Sequence, residues 1–247
     1  MKKIIKVPVL IFALITLIAC DQSKVSKTES SETTEAKKGL VEKVMTKEEQ
    51  SALTPDQVIK TLDEGNMRFR NNDLTLRNHS EQVRNSTLAQ YPKAIVLSCV
   101  DSRVPVEDVF DRGIGDLFVA RVAGNFVNED ILGSMEFACK VSGSKLILVM
   151  GHEHCGAVKA AIDDVKLGNI TPMLQKIRTA VEMVEYEGER NSKNQEYVHM
   201  VCESNVNNTI AQIRLNSPIL NEMEAKGEIK IVGAVYDMDN GQVTWMQ

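Results

Sequence analysis

Apolar and polar positions along the chain follow two rhythms. Val58, Ile59, Leu62 and Phe69 recur at helical spacing. Ahead of them, Thr54-Pro55-Asp56-Gln57 supplies an N-cap threonine, a proline at the first helical position and the glutamine of a capping box. From Ala94 the rhythm changes. Ala94-Ile95-Val96-Leu97 runs without a polar break to Ser98, as a strand buried on both faces should. Residues 117–120, 145–150 and 229–236 repeat that pattern, and Asn240-Gly241 predicts a turn into a short strand at 243–245. Residues 131–141 (closed by Gly143), 157–165, 173–189 and 197–215 read as helices, and a shorter one runs from Pro218 towards Gly227. Strands alternating with helices predict an α/β fold: a mostly parallel central sheet flanked by helices, preceded by an N-terminal helical arm.

The start of the chain obeys neither rhythm. Lys2, Lys3 and Lys6 precede an apolar run over 7–19, which is short for a membrane span but suits the core of a signal peptide. The run ends Leu17-Ile18-Ala19-Cys20, which resembles the bacterial lipobox. Residues 1–19 are therefore expected to be a lipoprotein signal peptide, with Cys20 lipidated as the first mature residue. An uncleaved anchor, or a free cysteine after an ordinary signal, are the alternatives. Residues 20–47 are rich in Ser, Thr, Glu and Lys and read as a disordered tether. That leaves 48–247 as the folded domain. The expected location is the cell envelope, outside the cytoplasm (periplasmic in a Gram-negative cell), with the lipid as the only membrane contact.

Composition narrows this little. The 247 residues are 43% hydrophobic and 26% charged, enough for one sizeable α/β core with appendages. Only 4% are aromatic, so aliphatic side chains must fill that core. The formal charge of −5 and the lack of long basic runs argue against a nucleic-acid partner. Loss of Lys2, Lys3 and Lys6 with the leader would make the mature chain more acidic still.

Two segments carry candidate chemistry, each just after a predicted strand: Cys99-Val100-Asp101-Ser102-Arg103 and Gly151-His152-Glu153-His154-Cys155-Gly156. In open parallel sheets, ligands bind outside the carboxyl ends of the strands. Cys99, His152 and Cys155 offer two thiolates and one imidazole, three ligands that leave a fourth zinc position open, as a catalytic site requires. His154 is too close in sequence to join them easily; a proton-shuttling or a merely solvated role stays open for it. Asp101 could accept a hydrogen bond from a zinc-activated hydroxide or coordinate the metal itself, and Arg103 could decide between these by a two-bond fork. Cys139 and Cys202 read as buried thiols rather than a disulfide.

At these residues the chain resembles the β-carbonic anhydrase family, whose signatures Cys-x-Asp-Ser-Arg and His-x-x-Cys-Gly are both intact. The resemblance runs from about residue 50 to the end. It implies one Zn2+ per subunit, carbon dioxide and bicarbonate as reactants, hydration by zinc-hydroxide attack, and a homodimer or higher homo-oligomer. It implies metal ligation by Cys99, His152 and Cys155 and catalytic roles for Asp101 and Arg103. Gln90, nine residues before Cys99, matches the substrate-binding glutamine of the plant-like type, contributed from a neighbouring subunit. Phe118, Ala123 and Phe137 match its apolar pocket. Val96 stands where the bicarbonate-inhibited type has tryptophan, which implies an open site at neutral pH. Arg121-Val122-Ala123-Gly124-Asn125 replaces the commoner Arg-Asn-x-Ala-Asn, so hydrogen bonding at the pocket wall is expected to differ. A carbon disulfide or carbonyl sulfide hydrolase, and a non-catalytic zinc-binding envelope lipoprotein, are the alternatives.

Overall fold

A computed structural model describes residues 39–246; the leader, Cys20 and most of the expected tether lie outside the described residues. Strands β1 (Ala94–Ser98), β2 (Leu117–Arg121), β3 (Leu146–His152) and β4 (Lys230–Tyr236) are mutually parallel. β5 (Val243–Trp245) closes one edge antiparallel to β4, giving the order β2-β1-β3-β4-β5. The predicted α/β class and all five strands are present.

Alternation along each strand splits the core into two layers. Ala94 and Val96 of β1, with Leu146, Leu148 and Met150 of β3, face Val58 and Leu62 of α2 (Pro55–Arg70). Ile95 and Leu97, with Ile147 and Val149, face the opposite helices: α5 (Glu129–Glu136), α8 (Gln195–Asn216) and α9 (Pro218–Ala225). Beyond the strand ends a third apolar cluster joins Cys99 and Cys155 to α6 (Gly156–Ile162), α7 (Ile170–Met183) and the first half of α8. The two thiols therefore stand at a place the fold makes dry.

Three short helices escaped the sequence pattern: α1 (Lys47–Ser51), α3 (His79–Asn85) and α4 (Val106–Val109). All span fewer than two turns, too short for an amphipathic period to repeat. The expected tether also ends early. Val41 donates to the Leu76 carbonyl at 2.8 Å and accepts from the Asn78 amide at 3.0 Å, bonds that side-chain composition does not encode. Gln50 on α1 is buried and donates to the carbonyls of Pro92 (2.7 Å) and Ser142 (2.8 Å), fastening the arm to the sheet.

Three predicted helices differ in their C-terminal parts, the one expected over 157–165 ending at Ile162. The helix expected over 131–141 widens to a π-turn at Phe137–Val141, closed by a bond from the Ser142 amide to the Phe137 carbonyl. The helix expected to reach 189 stops at Met183. Glu185, Glu187 and Glu189 would place negative charge at a helix C-terminus, and Arg190 instead caps the Val181 carbonyl at 3.1 Å. No helix among the described residues is long and apolar enough to cross a membrane.

Candidate metal centre and catalytic loop

Register brings the two chemical segments together. Leu97 pairs with Val149 across β1 and β3, so Cys99, just past the end of β1, comes level with the end of β3 where His152 sits. Cys155 follows on the tight turn that starts α6. The donor atoms of Cys99, His152 and Cys155 lie within 4.8 Å of one another, and all three residues are buried.

Their chemistry fits a zinc ion. The two sulfurs are 3.9 Å apart, against about 3.8 Å for two thiolates on a tetrahedral zinc at usual bond lengths. The ring Nδ1 of His152 is 2.8 Å from the Glu153 carbonyl, so it carries the proton and Nε2 keeps a free lone pair. That Nε2 is buried with no hydrogen-bond partner among the described residues, an arrangement that costs stability unless a metal takes the lone pair. The Cys99 thiol is drawn well down, above all by the hydrogen bond from Cys155, with the Gly124 amide adding to it. Cys155 moves up because it gives that bond and is buried. A cation between them is what permits both to be thiolates.

Asp101 stands over this group, its Oδ2 3.8 Å from His152 Nε2. Arg103 holds the carboxylate in a fork of 2.9 and 2.8 Å, and its backbone amide adds a third bond at 3.0 Å. The fork, above all, keeps Asp101 well below the usual carboxylate range. The loop itself is clamped by Arg121 at the end of β2. Its guanidinium donates to the carbonyls of Cys99 (2.8 Å), Asp101 (2.7 Å) and Val104 (2.7 Å). Gly124 adds an amide 3.4 Å from Cys99 Sγ, and Asn205 on α8 holds the Gly124 carbonyl at 2.8 Å. Arg121 belongs to the stretch that carries the family resemblance, but its clamp on three carbonyls and the part played by Asn205 emerge only with the pairing of β2 and β1 and the packing of α8.

Comparison with known proteins agrees with this geometry. The carbonic anhydrase family model matches residues 94–243. The carbonic anhydrase of Mycolicibacterium smegmatis is 35% identical over 190 residues, covering 74% of this chain and 89% of that one. The chain belongs to the β-carbonic anhydrase family. Among solved structures, the Coccomyxa β-carbonic anhydrase in complex with acetazolamide has a TM-score of 0.59 at 25% identity, over 68% of this chain and 78% of that one. A tetrameric β-carbonic anhydrase from Sordaria macrospora has a TM-score of 0.58 at 23% identity, over 66% and 84%. The carbonic anhydrase reaction is the reversible hydration of carbon dioxide to bicarbonate and a proton.

Not every residue expected at a carbonic anhydrase site is brought to the metal donors within one chain. Ala123 is, half-buried beside Gly124. Phe118 is level with Ile95, four residues before Cys99, or about 13 Å along the strand. It meets Phe137 edge-on at 6.2 Å, and both line an open hollow of about 730 Å³ beside edge strand β2. Gln90 is exposed on the loop before β1. Val96 is fully buried in the sheet core. Around the departure at Val122, the Asn125 Nδ2 is buried without a hydrogen-bond partner among the described residues. Cys139 and Cys202 are free thiols, both pushed up to about 12 by burial.

Proposed function

We propose that Cys99, His152 and Cys155 hold the zinc of this carbonic anhydrase, that Asp101 and Arg103 form its gate, and that a second copy of the chain completes its substrate site. The unpartnered Nε2 of His152 between two buried sulfurs carries the metal assignment. Bound there, zinc supplies Lewis acidity and a hydroxide-strength nucleophile near neutral pH. Asp101, locked as a carboxylate by Arg103, would accept a hydrogen bond from an attacking oxygen and aim its lone pair at carbon dioxide. The fork competes with direct coordination by Asp101, and with Val96 in the core this favours the plant-like, open type. Arg121 and Gly124 keep the loop from drifting, and the apolar cluster around the sulfurs keeps bulk water out.

Gln90 polarises one oxygen of carbon dioxide from the neighbouring subunit, and Phe118 and Phe137 wall its pocket in the same way. Their separation from the donors of their own chain supports this homodimer reading, as does the tetrameric state of the Sordaria protein. The enzyme works in the cell envelope, anchored through lipidated Cys20 after loss of residues 1–19; the lipobox-like sequence supports that part alone.

Stopped-flow hydration of carbon dioxide by the zinc-loaded chain tests the assignment, and inactivity between pH 7 and 9 with zinc bound would overturn it. Mixed dimers of Gln90→Ala and Cys99→Ser subunits test the shared site. They should recover part of the activity that each variant lacks alone, because one of the two sites then has both intact halves. The mass of the mature N-terminus tests lipidation, and an unmodified Cys20 refutes it.

A further inference from the structure

A second convergence of metal-ligating side chains lies on the other side of the Glu153 peptide. Donor atoms of Glu153, His154 and Asp239 come within 4.8 Å of one another, Glu153 and His154 half-buried and Asp239 exposed. Neighbours in an extended chain point to opposite sides, but His154 has φ 54° and turns its ring towards Glu153. Asp239 arrives from the turn between β4 and β5, which Asp237 shapes by accepting from the Asp239 amide and the Asn240 side chain.

His199 on α8 approaches the same carboxylate. Its Nδ1 is 3.6 Å from Glu153 Oε1, and its Nε2 is 3.5 Å from Glu203 Oε1. Both gaps exceed a hydrogen bond. The gap to Glu153 is just beyond the roughly 3.3–3.5 Å between nitrogen and oxygen donors that share a tetrahedral ion, and only one of the two ring nitrogens can face a given ion. Glu153 and His199 line two adjoining hollows of about 420 and 260 Å³, so an ion and its water have room. Five carboxylates (Glu153, Glu196, Glu203, Asp237 and Asp239) and two imidazoles line the two hollows, leaving them electronegative. Imidazole with carboxylate selects borderline transition metals rather than the softer ions that thiolates prefer.

We propose that Glu153, His154 and Asp239 form a second metal site for a divalent ion of the zinc, nickel and copper class, with His199 joining through Glu153. It is separate from the thiolate site but one peptide away, since the Glu153 carbonyl orients the ring of His152. Filling the second site therefore bears on the geometry of the first.

Untagged full-length protein, titrated with cobalt and separately with zinc, tests this. Two ions per chain are expected. The first cobalt brings the strong near-ultraviolet thiolate charge-transfer band, and the second adds only weak visible absorption. The double variant His154→Ala, Asp239→Asn should take up one ion, keep the thiolate band and melt like the parent. Cys99→Ser should lose the band and keep the carboxylate–imidazole ion. A parent chain that never exceeds one ion, taken up with the thiolate band, overturns the proposal. So does a double variant that still binds two. One ion without the band would overturn the thiolate assignment instead and leave this one standing.

Discussion

Replacing Gly124 by alanine isolates the link between backbone conformation and the metal centre. Gly124 has φ +84°, and a Cβ there would come within 2.3 Å of Ile177 Cδ1 and 3.2 Å of Ala157 Cβ. The left-handed conformation costs a non-glycine residue about 1–2 kcal/mol. Forcing a methyl into a filled core costs about 1–3 kcal/mol more. The two sum to about 2–5 kcal/mol, or roughly 4–20 °C in Tm for a chain of this size. Ile177 can turn its Cδ1 aside only within a filled core, and whatever part of the relief the backbone takes moves the Gly124 amide from Cys99 Sγ, so zinc should also dissociate faster. Gly115→Ala is the control: φ is +79° but nothing lies within 4 Å of the new carbon, so only the first cost of about 1–2 kcal/mol applies. Thermal melts with and without a chelator, together with zinc transfer to a chromophoric chelator, measure both effects. If Gly124→Ala melted no lower than Gly115→Ala and released zinc at the parent rate, the reasoning would fail.

Three further outcomes follow from the same contacts. Cys99→Ser should lose zinc from the thiolate site and nearly all hydration activity, and added zinc should raise its Tm less than the parent's, because His152 Nε2 and Cys155 then lack the second thiolate; metal analysis and melting curves check this. Asp111 has a fully buried side chain, ion-paired to Arg68 and Arg77. Burial raises its pKa, but the bonds from Arg68, Thr75 and Arg77 outweigh it and hold the group at about 2. A depressed folded pKa stabilises above the unfolded value near 4 and loses that contribution as the pH falls towards 2. Asp111→Asn should therefore cost about 3–5 kcal/mol at neutral pH, with the gap to the parent closing in acid; denaturant titrations at several pH values would show a constant gap if this is wrong. Cys139 and Cys202, buried and held as thiols, should stay unmodified by alkylating reagents in the native protein and react only after unfolding, as peptide mass mapping can read.

The sequence by itself determined the strands and the donor set. Continuous apolar runs such as 94–98 have no stable place except between two helical layers, and the Cys99 and His152 segments each follow such a run. That periodicity is local, so it can be read without the fold. The short arm helices α1 and α3 and the early end of the tether were not legible, because backbone bonds such as Val41 to Leu76 leave no mark in side-chain pattern. Nor was the clamp of Arg121 on three loop carbonyls, which depends on strand order and register. Only the tertiary structure decided that His152 presents Nε2 and not Nδ1, because a carbonyl one peptide on takes the other nitrogen's proton. It also decided that His154 turns away from the thiolates towards Glu153 and Asp239. Both are matters of direction at a single residue, and direction is set by what the rest of the chain packs around it.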